Sequence, residues 1–257
     1  GAWANMTETA KLTASDADVY DSFGYSVSLS GDYALVGAYK DDDGGTESGS
    51  AYIFYKGTGA WANMTETAKL TASDADADDS FGYSVSLSGN YALVGATNAS
   101  GYGQSYIFNT SNWNEDQVLS PPDNILEPDY FSSSVSLSGD YALVGSHYAT
   151  IGGNIEQGAA YIFQNITGSW QKIAQLIASD GDESDYFGKT VSLSGEYALV
   201  GAYGGDNGSI ESGAAYIFYK GAGAWANMTE TAKLTASDAY ADDSFGYSVS
   251  LSGDYAL

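Results

Sequence analysis

One block of sequence, Gly-Ala-Trp-Ala-Asn-Met-Thr-Glu-Thr-Ala-Lys-Leu-Thr-Ala-Ser-Asp-Ala, occupies positions 1–17, 59–75 and 223–239 without a change. A second block, Ser-Val-Ser-Leu-Ser-Gly, begins at Ser26, Ser84, Ser134 and Ser248, and as Thr-Val-Ser-Leu-Ser-Gly at Thr190. A phenylalanine precedes each second block: Phe23, Phe81, Phe131, Phe187 and Phe245, at spacings of 58, 50, 56 and 58. Self-similarity at such a period means that each copy is one supersecondary unit and that the core is built by stacking copies. The sequence repeats run 1–58, 59–112, 113–169, 170–222 and an incomplete 223–257, read as a single domain.

Within a copy the patterning is that of short strands. Tyr25, Val27 and Leu29 alternate with Ser26 and Ser28, and period-two alternation marks a strand. Ser30-Gly31-Asp32 is a tight turn, because Gly and Asp accept positive φ. Tyr33–Ala38 is a second strand, Lys40–Gly49 a polar loop and Ala51–Tyr55 a third strand rich in aromatic and β-branched residues. Trp3 to Thr13, or Trp61 to Thr71 in the next copy, supplies the fourth. No segment holds a 3.6-residue apolar stripe over three turns, so almost no helix is predicted. A four-stranded antiparallel unit of this length buries both faces only against its neighbours. The expected fold is therefore all-β: a partial β-propeller of four-stranded antiparallel blades, about five repeats with the last truncated. If Phe23 opens a blade, residues 1–16 are an outer strand belonging to the last blade, and further blades of a parent chain are expected. A β-sandwich is the competing all-β arrangement, but its strands do not usually recur in near-identical blocks.

Charge narrows the partners. The chain carries 8 Lys+Arg, all of them Lys, against 33 Asp+Glu, for a net charge of -25. Such a surface repels a phosphate backbone and offers no Arg for bidentate contacts, so no nucleic-acid partner is expected. Anionic membranes are disfavoured for the same reason, and no apolar run approaches the length of a membrane span. There is no cysteine, which removes disulfides, thiolate catalysis and Cys-ligated zinc.

The repeats resemble the FG-GAP family, found in integrin α-subunit propellers and in surface proteins. The residues that carry the resemblance are Phe23-Gly24, Phe81-Gly82, Phe187-Gly188 and Phe245-Gly246, followed by Val36-Gly37-Ala38, Val94-Gly95-Ala96 and Val200-Gly201-Ala202. The third copy departs, with Phe131-Ser132 and Val144-Gly145-Ser146. The proline after Gly-Ala is replaced by Tyr39, Thr97, His147 and Tyr203. In integrin-like copies the loop between the first two strands is a calcium site. Here it shrinks to Ser30-Gly31-Asp32 and its equivalents, too short to supply the 6–8 oxygens calcium takes. The resemblance implies an extracellular or cell-surface location.

Candidate metal ligands lie elsewhere, in the acidic loop before each anchor Phe. They are Asp16, Asp18 and Asp21; Asp74, Asp76 and Asp78; Asp180, Asp182 and Asp185; and Asp238 and Asp242. Their spacing could bring two or three carboxylates to one calcium ion. The same residues also suit solvated turns in which Asp caps backbone N–H groups. Asp41-Asp42-Asp43-Gly44-Gly45 resembles part of a calcium loop but lacks its alternation and late Glu, and reads as a polar turn. His147, the single histidine, has no partner at metal or triad spacing. One tryptophan recurs per unit, at Trp3, Trp61, Trp113, Trp170 and Trp225, suited to blade packing or to sugar stacking. Asn-X-Ser/Thr sequons at Asn5, Asn63, Asn98, Asn109, Asn165, Asn207 and Asn227 are glycan acceptors if the protein is secreted by a eukaryote.

These readings favour an extracellular adhesion or protein-interaction scaffold without catalytic activity. Its protein or glycan ligand would meet the variable loops Lys40–Gly49, Asn98–Gly103, His147–Gly158 and Gly204–Gly213. The alternative is a carbohydrate-binding propeller using the tryptophans or Tyr39, Tyr102 and Tyr203. No resident cofactor is expected beyond calcium. A hydrolase is disfavoured because no opposed carboxylate pair is evident.

Overall fold

The computed structural model describes residues 7–122, 129–205 and 211–257. Blade 1 comprises Ser26–Ser30, Tyr33–Ala38, Ser50–Tyr55 and Ala68–Leu70; blade 2 comprises Phe81–Ser88, Tyr91–Ala96, Gln104–Asn109 and Glu115–Leu119. Blade 3 comprises Phe131–Ser138, Tyr141–Ser146, Ala159–Ile166 and Ser169–Leu176; blade 4 comprises Thr190–Ser194, Tyr197–Ala202, Ala214–Tyr219 and Ala232–Leu234. Each is a four-stranded antiparallel meander. A half-blade, blade 5, pairs Leu251–Ser252 with Tyr255–Ala256. The one helical element among the described residues is a 3₁₀ turn at Ala99–Gly101. The fourth strand is shorter in blade 1 than the sequence predicts: only Ala68–Leu70 joins the sheet. Met64–Thr65 instead pairs in parallel with Leu12–Thr13, which lies where a preceding blade would place its outer strand.

The core lies between blades. Leu35, Ile53 and Leu70 of blade 1 pack with Phe81, Val85, Leu87 and Val94 of blade 2. Equivalent clusters join blade 2 to blade 3 and blade 3 to blade 4. The anchors Phe81, Phe131 and Phe187 are fully buried and each meets two rings of its own blade, edge-on where Phe81 meets Tyr106 and Phe108. The tryptophans join neighbours at the periphery. Trp113 packs edge-on against Tyr33 of blade 1, and Trp170 against Tyr91 of blade 2. Trp225 is buried in the cluster that includes Tyr141. Trp3 lies outside the described residues.

The serines of the inner strands explain why this stacking has a fixed register. An inner strand leaves one row of backbone groups unpaired. Ser28 Oγ accepts the Leu87 N–H of the next blade, Ser86 that of Leu137, Ser136 that of Leu193 and Ser192 that of Leu251, each at 2.9 Å. Ser88, Ser138 and Ser194 do the same for Gly139, Gly195 and Gly253. In the other direction, Ser26 and Ser84 donate to the carbonyls of Gly82 and Ser132, both at 2.7 Å. The Ser-x-Ser-x-Ser face thus points to the following blade and the Val/Leu face to the preceding one.

The glycine of Val-Gly-Ala is required by close approach. A Cβ on Gly37, Gly95, Gly145 or Gly201 would sit 2.0, 2.4, 2.0 or 1.9 Å from the carbonyl oxygen of Gly82, Ser132, Gly188 or Gly246 in the next blade. Those residues take positive φ, and Ser132 (φ 71°) is the exception that is not glycine. It is held there by donating from Oγ to the Gln104 carbonyl at 2.7 Å.

Two substitutions separate these terms. Ser136→Ala should lower stability by roughly 1 kcal/mol, the loss of one acceptor for a backbone N–H. Gly145→Ala should cost more, because its new methyl overlaps backbone that cannot retreat. Urea unfolding of both variants beside the wild type measures the order.

Candidate functional site

Antiparallel meanders sort the loops by end. In every blade the loop between the second and third strands and the crossover from the outer strand to the next blade lie at one rim. The tight Ser-Gly turns lie at the other. The variable loops and the acidic loops therefore share a rim, and they bond to each other. Asp78 N–H and Ser80 N–H donate to the Thr46 and Glu47 carbonyls, and Ser184 and Tyr186 N–H to Ile155 and Glu156.

The acidic loops repeat one turn. The carboxylates of Asp21, Asp79, Asp185 and Asp243 accept the N–H of Asp18, Asp76, Asp182 and Tyr240 at 2.6–2.8 Å. Asp21, Asp79 and Asp185 are buried. For Asp79 and Asp185 burial is the largest influence and raises the carboxyl pKa; the N–H bond opposes it, and the neighbouring aspartates reinforce it. The exposed residues of the set are Asp16, Asp18, Asp74, Asp76, Asp78, Asp180, Asp182, Asp238 and Asp242.

Only Asp16 of the residues nominated from sequence joins a cluster of three carboxylates with metal-like spacing among the described residues. Its partners are Asp41 and Asp43, with ligand atoms within 4.8 Å of one another. Lys69 occupies the middle of that cluster. Its Nζ lies 2.6 Å from Asp16, 3.1 Å from Asp41 and 2.5 Å from Asp43, and 5.1 Å from the centroid of the Tyr52 ring. Tyr52 Oη donates to Asp41 at 2.7 Å and to Asp16 at 3.1 Å, and Ser50 Oγ to Asp41 at 2.9 Å. Burial alone would raise both carboxyls. Hydrogen bonds from Lys69 and Tyr52 outweigh it at Asp16, and those from Tyr52, Ser50, the Asp43 amide and Lys69 at Asp41, so both lie below the usual range. The ammonium supplies the positive charge that these acids require.

Blade 4 repeats the arrangement in reduced form. Tyr216 Oη donates to Asp180 at 3.0 Å, and Lys233 pairs with the same carboxylate at 2.5 Å. They line a cavity of about 240 Å³ with Asp182, Glu183, Asp185 and Glu211. In blade 2 Tyr106 donates to Asp74 at 2.9 Å without a lysine. The first aspartate of these three loops is thus the acceptor for one tyrosine of a third strand. Sequence reading placed Asp41 and Asp43 in a polar turn and missed Lys69 as their cation, since nothing local links positions 16, 41 and 69.

A second feature sits at the same rim, where the inner strands begin. Rings that flank the Phe-Gly and Val-Gly-Ala segments, or their equivalents in blade 3, meet there. Tyr25 lies 4.6 Å from Tyr39 and 5.0 Å from Tyr83, centroid to centroid. On the other side Tyr148 meets Tyr130, His147 and Tyr186, Tyr186 stacks on Tyr203 at 4.8 Å, and Tyr203 meets Tyr247. The result is a collar of tyrosine rings around the inner ends of the blades. Burial raises the phenol pKa of Tyr83, Tyr148, Tyr186 and Tyr203, to about 12 at Tyr203, where neighbouring tyrosines and Glu156 add to it. Those four phenols are therefore neutral at physiological pH. His147 is buried beneath them, with Nδ1 2.9 Å from Ser133 Oγ. Burial and then the nearby Lys189 push its pKa down to about 3.

Asn5 and Asn207 of the sequons lie outside the described residues. Asn63 and Asn227 have a structural role: their Oδ1 atoms accept the N–H of Lys11 and Gln175 from adjacent outer segments, both at 2.8 Å.

This is an all-β repeat protein built from propeller blades that lock through Phe-Gly and Val-Gly-Ala. Comparison with known families matches the FG-GAP repeat five times, over residues 6–54, 64–108, 113–163, 170–218 and 228–257. The chain belongs to the FG-GAP repeat family. No curated protein matches it.

Two measurements address the ionised groups. Lys69→Met leaves three carboxylates facing one another and should lower stability by roughly 2 kcal/mol, less than for a fully buried pair because Asp16 and Asp43 reach water. Millimolar calcium should raise the melting temperature of that variant, and that of the wild type no more than sodium chloride at matched ionic strength. His147 resists protonation in the folded state, whereas in the unfolded chain it titrates near 6.5. Stability therefore falls as pH drops from 6.5 toward 3, by roughly 2 kcal/mol at pH 5. The rise of Asp79 and Asp185 acts with the opposite sign nearer pH 4. His147→Gln should flatten the pH 7 to pH 5 part of the melting profile.

Proposed function

We propose that this chain is an extracellular, non-catalytic adhesion or protein-interaction scaffold whose contact face is the loop rim. The observation that carries this reading is the tyrosine collar set among acidic loops on one rim. Neutral tyrosine faces attract cations through the ring quadrupole. The surrounding carboxylates, in a chain of net charge -25, add a long-range field that draws positive partners. A lysine or arginine side chain of a protein ligand suits the centre, with the variable loops gripping the backbone around it. A non-catalytic role is supported by how the reactive groups are used. The histidine is buried against a serine, and Asp16, Asp41 and Asp180 are tied to lysine and tyrosine.

A lectin-like role is the second reading. Trp113, Trp170 and Trp225 pack between blades, so it would rest on loop tyrosines. Tyr102 favours it, half-exposed beside a cavity of about 320 Å³ lined by Gln104, Pro121 and Pro122.

Calorimetry with short neutral peptides carrying one central Arg, or Gln in its place, distinguishes these. The Arg peptide should bind and the Gln peptide should not. Tyr83→Ala or Tyr203→Ala should weaken binding about tenfold, the scale of one cation–π contact. Equal binding of both peptides, or binding only to a glycan array, would sink the protein-ligand reading.

A further inference from the structure

The junction of blades 3 and 4, between two complete four-stranded sheets, differs chemically from that of blades 1 and 2. In blades 1 and 2 the positions after Phe-Gly, after Val-Gly-Ala and after the next Phe-Gly hold Tyr25, Tyr39 and Tyr83. Their rings pack on one another at 4.6 to 5.4 Å. The same three positions of blades 3 and 4 hold Ser133, His147 and Lys189. Three phenol rings that fill each other's space give way to a hydroxyl, an imidazole and an ammonium.

Lys189 is half-buried, and its ammonium has no ion pair or hydrogen bond among the described residues. The other half-buried lysines are compensated. Lys40, Lys56, Lys69 and Lys233 each meet a carboxylate, and Lys220 lies 5.8 Å from the centroid of the Tyr141 ring. Burial lowers the Lys189 pKa below the ordinary lysine value, and no carboxylate opposes it. A desolvated ammonium without a counter-charge is costly, and it stands out in a chain with 33 Asp+Glu. Its neighbours are neutral donors. His147 lies in the field of Lys189, and its Nδ1 is 2.9 Å from Ser133 Oγ. That pair keeps one polar hydrogen for a third group in either tautomer: on Nε2 if Ser133 donates, on Oγ if His147 donates.

We infer that Lys189 binds a carboxylate of a ligand at the junction of blades 3 and 4, with the Ser133–His147 pair donating a second bond. The charge count selects this ligand. One ammonium balances one negative charge, whereas a dianion such as sulfate would leave a charge uncompensated in a chain of net charge -25. A carboxylate also presents two oxygens, one for the ammonium and one for the neutral donor. Lys189 immediately precedes the inner strand Thr190–Ser194, and His147 immediately follows Tyr141–Ser146. Both therefore lie at the end of the blades where the variable loops gather, within reach of a bound peptide or a free acid.

His147 is the only histidine, so its imidazole C–H signals in an NMR spectrum report on this junction alone. At neutral pH and constant ionic strength, sodium acetate should move them saturably and sodium chloride should not. N-acetylglycylglycine and N-acetylaspartyl amide carry the same group as a chain terminus and as a side chain. The tighter of the two names the source of the carboxylate, and either result supports the site. Lys189→Gln should weaken acetate binding about tenfold or more, and Lys189→Arg should retain it. Removing an uncompensated ammonium should not lower the melting temperature, so lost binding in the glutamine variant reports the site and not the fold. A glutamine variant that melts below the wild type would show Lys189 to be already partnered and would overturn the proposal. So would wild-type signals that ignore acetate, chloride that acts as acetate does, sulfate that binds more tightly than acetate, or a glutamine variant that binds as well as the wild type. Acetate carries no cation, so these outcomes are independent of the arginine-peptide experiment.

Discussion

The structure depends on one contact repeated around the arc: the inner strand of a blade laid against the Phe-Gly segment and inner strand of the next. Its chemistry has two parts. The serine hydroxyls satisfy backbone N–H groups that a sheet edge would otherwise leave open, and an unsatisfied group there costs more than the bond returns. The bare glycine of Val-Gly-Ala lets the neighbouring carbonyl approach to a distance that a methyl would forbid. Hydrophobic burial follows from that geometry. Phe81, Val85 and Leu87 reach the interior only because the previous blade lies at this distance and register.

The same constraint positions the rim. Because every blade is anchored at its inner strand, the residues flanking the anchor are carried to one end of the molecule. There they meet their counterparts from adjacent blades. Tyr25, Tyr83 and Tyr247 each follow a Phe-Gly pair, and the collar they help form is a by-product of the locking motif. The third and fourth blades replace that tyrosine with Ser133 and Lys189. The replacement creates the buried environment in which His147 stays uncharged.

The acidic loops divide between structure and surface field. One aspartate per loop closes a turn. In three loops another accepts a tyrosine hydroxyl. Lysine enters where the charge density is greatest, at Asp16, Asp41 and Asp43, and so provides internally the cation that such a group would otherwise take from solution. The remaining exposed carboxylates set the potential of the rim.

Much of the fold was legible in the residues themselves. Alternation of Ser with Val and Leu marks the inner strand, and the Ser-Gly turns mark its partner, because both signals are local in the chain. The repeat implied stacking of blades, because no single copy can bury two faces. The acidic loops were visible as clusters, but their partners were not. Lys69 is separated from Asp16 by 53 residues and from Asp41 by 28. That proximity exists only once an outer strand, a variable loop and a crossover are folded onto one rim. Likewise, the sequence determines that each inner strand has a serine face and an apolar face. Only the packing of blades decides that the serine face meets the following blade and the Val/Leu face the preceding one, because that register is set by bonds between residues 51 to 57 positions apart.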